Sequence, residues 1–259
     1  MEGLYMDMIG AAADIIMQSE KLVVFTGAGI STESGIPDFR SLGGVWSKFD
    51  PNEYTYQKFL ANEENREKAW ERHKSMWSLI ASAEPNRGHN AIAEFYSMGK
   101  LDCVITQNID ALHQKSGVPE EMVIELHGTM KWVDCLECGR RYSREKIQER
   151  LEVGEKVPRC DDCKGILKQA TISFGQPMPE KETREAERRS AGCDVFLVAG
   201  SSLVVFPAAQ MPLTAKPNGA KLIIINLMET PHDYYADIVI NEKLGDTLTQ
   251  IAERVKAKD

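Results

Sequence analysis

Four of the six cysteines form two pairs with the spacing Cys-x-x-Cys, namely Cys135 with Cys138 and Cys160 with Cys163. Two thiolates three positions apart on a tight turn can bind one metal ion, and a second pair completes a tetrahedral site. The 21 residues between the pairs can form a helix near 144–152. We therefore expect one structural zinc ion, because four thiolates leave no open position for water. A redox-active thiol pair is the alternative.

A glycine-rich turn follows the apolar stretch 22–25, which has the length and the β-branched residues of a buried parallel strand. Gly27 and Gly29 allow the strand to turn sharply into a helix, which Ser31 or Thr32 would cap. Backbone N–H groups at such a helix start can bind a pyrophosphate. However, Thr32 replaces the third glycine of the dinucleotide-binding fingerprint, and the usual ribose-binding acid about 20 residues further on is absent. On the glycines alone, a purely structural turn is an equally good interpretation.

Other side chains that could carry chemistry lie beyond this turn. The run 37–40 reads Pro-Asp-Phe-Arg, an acid, an aromatic ring and a cation that a plain dinucleotide-binding fold does not require. His113 and His127 each follow a predicted strand. His113 is more typical of a structural histidine. His127 is the better candidate for a general base, because Gly128 lets a backbone or a ligand approach it closely and histidine titrates near neutral pH.

Composition limits the class of protein. The 259 residues are 42% hydrophobic and 27% charged, which is typical of a soluble globular chain. A net charge of −8 argues against a general nucleic-acid or anionic-membrane binder. No apolar run reaches the roughly 20 residues that span a bilayer, and the N-terminus lacks the layout of a secretory signal. We expect a cytoplasmic protein, for which a monomer is plausible, with Cys103 and Cys193 as buried core residues.

Strands and helices alternate along most of the chain. Strands are predicted at 22–26, 101–105, 122–125, 194–199, 221–225 and 237–240. Helices are predicted near 3–19, 88–97, 179–190 and 244–257 and after Pro207. This alternation indicates an α/β fold with a Rossmann-like parallel sheet covered by helices on both faces. Polar loops follow four of the strands, at 27–40, 106–113, 200–202 and 226, on the edge where such sheets bind ligands.

Two stretches interrupt the alternation, so we expect three units. The Rossmann-like domain would comprise 1–40, 83–128 and 171–259. Residues 41–82 form a helical insertion, which would serve as a cofactor loop or lid because simple connections between a strand and a helix are shorter. Residues 129–170 form the four-cysteine zinc module, which resembles a zinc ribbon.

Six motifs occur together in one order. They are GAGIS (27–31), GIPDFR (35–40), TQNID (106–110) with Leu112 and His113, HG (127–128), the two Cys-x-x-Cys pairs and GSSL (200–203). With these motifs the chain resembles a sirtuin, an NAD-dependent protein-lysine deacylase, over roughly residues 10–255. The order of the motifs makes the resemblance far more specific than any one of them.

The resemblance implies roles for individual residues. His127 would be the general base, and Asn108 and Asp110 would also take part in catalysis. The residues implied to bind NAD are Gly27, Ala28, Gly29, Ser31, Asp38, Phe39, Arg40, Gln107, Asn108, Ile109, Asp110, His127, Gly200, Ser201, Ser202 and Asn226. Two segments would pair with the backbone of a substrate peptide as strands, and they contain Phe174, Gly175, Val204, Val205 and Phe206.

The implied reaction removes an acetyl group, or a longer neutral acyl group, from a lysine side chain of a protein or peptide. NAD would be consumed as a cosubstrate, giving nicotinamide and O-acetyl-ADP-ribose. Two alternatives remain open: a protein mono-ADP-ribosyltransferase, which shares the nicotinamide-leaving step, and a catalytically silent NAD-sensing module.

The chain departs from the family pattern at two places. Gln176 replaces a glutamate near the implied peptide entrance, and Ser201 replaces the threonine of a Gly-Thr-Ser triplet while keeping a hydroxyl. Relatives that prefer succinyl-lysine carry a Tyr-x-x-Arg pair, which the corresponding stretch 70–76 lacks. We therefore predict a neutral acyl group, and a clear excess of desuccinylation over deacetylation in matched peptides would refute this.

Overall fold

Two β-sheets organise the chain in the structure, a computed structural model that describes residues 2–47 and 50–258. The strands of this part of the chain are β1 (Leu22–Thr26), β2 (Leu101–Thr106), β3 (Val123–Glu125), β4 (Gly128–Cys135), β5 (Arg141–Ser143), β6 (Leu167–Thr171), β7 (Val195–Ala199), β8 (Lys221–Ile225) and β9 (Ile238–Ile240). The larger sheet has the order β3-β2-β1-β7-β8-β9, and its neighbours are all parallel. The parallel sheet predicted from the sequence is confirmed.

Helices cover both faces of this sheet. The α-helices are α1 (Glu2–Met17), α2 (Tyr56–Ala61), α3 (Glu63–Ser82), α4 (Arg87–Ser97), α5 (Leu112–Lys115), α6 (Arg144–Glu152), α7 (Glu180–Gly192), α8 (Met211–Ala215) and α9 (Leu244–Lys256). One core cluster places apolar residues of α1, α4 and α9 against one face, and a second places those of α7 and α8 against the other. Since β1 and β7 are buried along their whole length, both read as continuous apolar runs.

The smaller sheet belongs to the four-cysteine module. It is antiparallel with the order β5-β4-β6, and α6 packs against it through Ile147 and Leu151. The helix predicted near 144–152 is therefore present as α6. Trp70, a fully buried residue of α3, joins the same core cluster, so the helical insertion packs against this module.

We propose the three units expected from the sequence, with the ranges given above, as the domains of the chain. Residues 1, 48, 49 and 259 within those ranges lie outside the described part. In the described part, α2 and α3 lie within 41–82, and the small sheet extends one residue beyond 129–170 at each end. Whether each unit folds independently would test the division.

One local prediction is wrong. The helix after the glycine-rich turn is a 3₁₀ helix, Ala28–Ser34, and Gly27 precedes it without any side-chain cap. Ser31 and Thr32 lie inside this helix, so neither can cap its start. Their hydroxyls donate elsewhere, to the Asp110 carboxylate at 2.7 Å and to the Gly29 carbonyl at 2.9 Å.

Candidate active site

Three glycines bring two loops into backbone contact at the carboxyl edge of the large sheet. The Gly29 N–H donates to the Gly200 carbonyl at 2.9 Å. A Cβ atom at Gly27 or at Gly29 would lie 2.8 Å from that carbonyl oxygen, and one at Gly200 would lie 2.5 Å from the Ile30 nitrogen. Gly200 also has a φ of +67°. Side chains at these positions would clash with the backbone of the opposite loop. The close contact between the loops after β1 and β7 therefore requires glycine at all three positions.

A buried polar group forms where the loops after β1 and β2 meet. The side-chain amide of Asn108 donates to the Gly27 carbonyl and to the Ser31 hydroxyl, both at 3.1 Å. The Ser31 hydroxyl in turn donates to the Asp110 carboxylate at 2.7 Å. Burial raises the pKa of Asp110, although hydrogen bonds from the Leu112 N–H and the Ser31 hydroxyl oppose this. Three residues from two separate motifs thus form one hydrogen-bonded unit.

His127 lies between the large sheet and the four-cysteine module. Its Nδ1 is 3.1 Å from the Gln107 carbonyl oxygen. Because a carbonyl can only accept, Nδ1 must carry the proton, which leaves Nε2 with a free lone pair in the neutral ring. Burial lowers the pKa of His127, and this hydrogen bond opposes the shift. The arrangement suits a general base.

The backbone on either side of His127 is fixed by the small sheet. The His127 carbonyl accepts from the Ile172 N–H at 2.9 Å, and the Ile109 carbonyl accepts from the Met130 N–H at 2.9 Å. Gly128 has a φ of +71°, and a Cβ there would lie 2.1 Å from the Ala170 carbonyl oxygen. Glycine is required at this position by both conformation and space.

Behind the polar group lies a buried network that sequence reasoning missed. The Thr26 hydroxyl donates to that of Thr106 at 2.8 Å, and Thr106 accepts from the Asn108 N–H at 3.0 Å. His113 contacts Thr26 through Nε2 at 2.9 Å, and its ring lies 5.0 Å from that of His89. Burial lowers the pKa of both histidines, that of His89 to about 4. His113 is therefore a buried structural residue. The sequence feature that could have predicted this network is the threonine at the end of each of two neighbouring strands, β1 and β2.

The remaining residues of the predicted NAD site occupy the same edge. Ser201 accepts from the Gln107 side-chain amide at 2.9 Å, whereas the Asn226 amide donates to the Met228 carbonyl at 2.6 Å. Ser202 lies beside Ser201 in the loop after β7. Ala28 and Ile109 are half-buried in the loops already described. The predicted residues thus meet along one edge, although Asn226 contacts its own loop.

Asp38, Phe39 and Arg40 lie on an adjoining turn. The Asp38 carboxylate accepts from the Arg40 N–H at 3.0 Å, and from the N–H and hydroxyl of Ser41 at 2.9 and 2.8 Å. A Cβ at Gly44 would lie 2.8 Å from the same carboxylate oxygen. Asp38 therefore shapes the turn, while Phe39 and Arg40 are exposed on it.

The four cysteines of the two pairs come together as predicted. All four sulfur atoms lie within 4.8 Å of one another. Cys135 and Cys163 are 3.5 Å apart, and Cys138 and Cys160 are 3.6 Å apart. A tetrahedral zinc site with Zn–S bonds of about 2.3 Å requires sulfur atoms roughly 3.8 Å apart, so the cluster fits this ion.

The segments expected to pair with a peptide are not strands. Phe174 forms an isolated parallel bridge with Thr55, and the Tyr56 N–H donates to the Phe174 carbonyl at 2.9 Å. Residues 203–206 form bends and a turn, partly because Leu203 has a φ of +54°. Val204 and Phe206 are nevertheless exposed, as is Phe174. Extended pairing there would require a partner chain.

The Sir2 family model matches residues 27–207. The chain belongs to the Sir2 family. The sirtuin resemblance read from the motifs is thereby confirmed, because this match covers the glycine-rich turn, Asn108, Asp110, His127 and the cysteine pairs.

Individual Sir2 proteins are similar over nearly the whole chain. An NAD-dependent protein deacetylase 1 of Bradyrhizobium diazoefficiens is 48% identical over 235 residues, 91% of each chain. A structure solved to explain the mechanism and regulation of Sir2 enzymes is 44% identical, with a TM-score of 0.89, covering 98% of this chain and 99% of the other. A Sir2 complex with a p53 peptide and NAD⁺ is 37% identical, with a TM-score of 0.83 and 95% coverage of both chains.

Proposed function

We propose that the protein is an NAD-dependent protein-lysine deacetylase, which transfers the acetyl group of an acetylated lysine to the ADP-ribose part of NAD. The observation that carries this function is that His127, whose Nε2 is left free, and the hydrogen-bonded group of Asn108, Ser31 and Asp110 both lie on loops at the carboxyl edge of the large sheet. The family and the names of its members point to the same activity.

The carboxyl edge of the large sheet fits NAD. The loop 27–31 and the loop 200–202 would hold its phosphates and adenosine half, together with Asn226, because these residues follow β1, β7 and β8 at the edge where parallel sheets bind ligands. Asn108, Ile109 and Asp110 would line the nicotinamide pocket. Phe39 and Arg40, exposed on the turn shaped by Asp38, would close over the cofactor.

NAD supplies an anomeric carbon that accepts the acyl oxygen of the substrate lysine when nicotinamide leaves. The Ser31 hydroxyl holds the Asp110 carboxylate in a buried pocket. There its negative charge would favour the positive charge that develops on the ribose. His127 would take a proton from a ribose hydroxyl through Nε2 while the Gln107 carbonyl holds Nδ1–H. No hydride moves in this reaction, so NAD is a cosubstrate and not a redox partner.

The zinc ion would be structural, bound by Cys135, Cys138, Cys160 and Cys163. Thiolate ligands alone leave no position for a reacting water. Its task is to hold β4, and with it His127, against the large sheet.

The partners are acetylated lysine-containing proteins or peptides. We propose that Phe174, Gly175, Val204, Val205 and Phe206 line the peptide groove, and that backbone pairing there gives little sequence selectivity. No helix in the described part of the chain has the length and apolarity to cross a membrane. On charge and composition we further propose a cytoplasmic protein that binds neither nucleic acid nor membranes directly.

Incubation with an acetyl-lysine peptide, with and without NAD, tests the activity. Wild type should release nicotinamide and deacetylated peptide only when both substrates are present, and His127→Ala should lose deacetylation while retaining its zinc content and melting temperature. Mass analysis of the peptide separates the alternative activity, since ADP-ribosyl transfer adds mass. Nicotinamide release that does not depend on the peptide would refute the deacetylase function.

A further inference from the structure

A small pocket that is open to solvent lies between the helical insertion and β6. Its charged lining residues are Lys58, Arg72, Lys168 and Glu53. Among the described lining residues Glu53 supplies the one carboxylate, and it forms an ion pair with Lys58. Cations therefore outnumber carboxylates three to one at this pocket, in a chain whose net charge is −8.

Lys168 is the most unusual of these cations. Its side chain is buried, with 4% of the residue exposed, and its Nζ donates to two main-chain carbonyls, those of Gln169 and Thr171. No carboxylate in the described part of the chain forms an ion pair with it. Burial lowers the pKa of Lys168 to about 8, and the more distant Asp134 opposes this only in part. A buried ammonium group without a counter-ion is costly, and an anion beside it would lower that cost.

The charges around His73 show that this cationic character extends across the junction. Burial first, and then the positive charges of Lys168, Arg144 and Arg72, lower the pKa of His73 to about 3. Arg144 of α6 is fully buried and donates to the His73 carbonyl at 3.1 Å. Three cations thus surround one neutral imidazole.

Unpaired buried nitrogen atoms concentrate at the same junction. Nine buried side-chain polar atoms in the described part have no hydrogen-bond partner, and five of them are nitrogens of Arg66, Trp70, His73 and Arg144. Three of these residues lie on one face of α3. Among these residues His73 lines the pocket, whereas Arg66, Trp70 and Arg144 are buried in the junction and do not line it.

We propose that this pocket binds a small oxyanion, a phosphate or a carboxylate, between Arg72 and Lys168. The planar guanidinium of Arg72 and the hydroxyls of Thr55 and Ser173, which also line the pocket, suit the several acceptor oxygens of such an ion better than a spherical halide. The oxyanion could be a free ion or a carboxylate carried by a bound peptide, since Ser173 directly precedes Phe174.

Titration calorimetry with inorganic phosphate tests the free-ion source. The zinc-loaded protein is first saturated with ADP-ribose, so that phosphate cannot bind at the NAD edge, and chloride of equal ionic strength is the reference. Wild type should bind phosphate saturably below about 10 mM. Arg72→Gln and Lys168→Met should weaken binding about tenfold, as expected for loss of one charge-assisted contact. Lys168→Arg should retain it, and Lys256→Met, an exposed cation on α9, should match wild type.

Acetylated peptides with a glutamate or a glutamine next to the acetyl-lysine test the peptide source, and this arm rests on the proposed function. Arg72→Gln should raise KM about tenfold for the glutamate peptide only, if that carboxylate fills the pocket. Either result supports the oxyanion site. The proposal is overturned if phosphate binding is absent, or equal in wild type and Arg72→Gln, and the two peptides also respond equally. If the protein does not deacetylate either peptide, the phosphate titration alone decides whether the oxyanion site exists.

Discussion

At the scale of single residues, the hydrogen bond between His127 and the Gln107 carbonyl decides which ring nitrogen is basic. The sequence could place His127 after a strand and beside a glycine, but not identify its tautomer. The tautomer depends on the Gln107 carbonyl, which lies twenty residues earlier, just after β2. In the same way, the sequence predicted that Ser31 caps a helix. It could not show that the Ser31 hydroxyl bonds to Asp110, because this contact forms only once β1 and β2 are paired.

The lowered pKa of His127 predicts the pH dependence of the reaction. A base must be neutral to accept a proton, so a pKa below the usual 6.5 keeps His127 active at mildly acidic pH. The acidic limb of kcat/KM for deacetylation should therefore have its midpoint below pH 6.5. Rates measured between pH 5 and 8 under conditions of constant zinc content would check this. An acidic limb centred above pH 7 would contradict it.

The Ser31 hydroxyl should matter for both activity and stability. In Ser31→Ala the buried Asn108 amide and Asp110 carboxylate each lose a partner, which we expect to cost about 1–3 kcal/mol in unfolding free energy. Deacetylation should fall about tenfold or more, because Asp110 loses its orientation. Ser97→Ala removes an exposed hydroxyl bonded to the Ala93 carbonyl and is the matched control. Equal behaviour of the two variants in denaturant titration and rate measurements would count against the role of Ser31.

At the scale of elements, the period of apolar residues was sufficient to find the six strands of the large sheet and the long helices that cover it, because both are buried. It did not predict β4, β5 and β6 of the small sheet, which are only partly apolar. The strands at 101–105 and 221–225 are present as β2 and β8, and the helix at 88–97 as α4. The segment 203–206 was predicted as a strand by resemblance and is irregular instead. Nothing in a run of apolar residues reveals that its hydrogen-bonding partner would be another molecule.

Gly128 connects the two sheets, and its replacement should disrupt that connection. In Gly128→Ala the new methyl group would lie 2.1 Å from the Ala170 carbonyl oxygen, so β4 and β6 must separate. We expect a loss of about 3 kcal/mol or more. Gly99→Ala is the control, because Gly99 has a similar φ of +68° with nothing within 4 Å of the added atom. Thermal unfolding should show a clearly larger loss for Gly128→Ala. Similar losses would mean that conformation alone, and not the close contact, requires glycine there.

At the scale of the whole molecule, the stabilising effect of zinc should extend beyond the four-cysteine module to the rest of the protein. The module also contacts the backbone of the candidate site, because the Met130 N–H donates to the Ile109 carbonyl and β6 leads into Ile172, whose N–H donates to the His127 carbonyl. Removal of the metal with a strong chelator should therefore lower the melting temperature and abolish deacetylation together. Metal analysis should give about one zinc per chain before treatment. A zinc content well below one in active protein would contradict the structural role.

Several histidines are held neutral by burial, which predicts sensitivity to acid. Burial lowers the pKa values of His73 to about 3 and of His89 to about 4, and it also lowers those of His113 and His127. Between these values and 6.5 the unfolded chain binds more protons than the folded one, so the unfolding free energy is highest above pH 6.5 and falls as the pH decreases below it. Denaturant titrations from pH 7 to 5, with zinc content measured at each pH, should show this fall. His89→Gln should reduce its slope, and an unchanged slope in that variant would argue against His89.

The four-cysteine module leaves and rejoins the large domain at adjacent points. Its first strand begins at Gly128, its last ends at Thr171, and the His127 carbonyl bonds to the Ile172 N–H between them. A unit attached by two paired strands cannot swing as it would on a single flexible linker. It is held at this doubled attachment, where His127 lies, and by Trp70 of α3, which packs into its core. We therefore expect a displacement of the module to move His127, the proposed general base, while Asn108 and Asp110 remain with the large sheet.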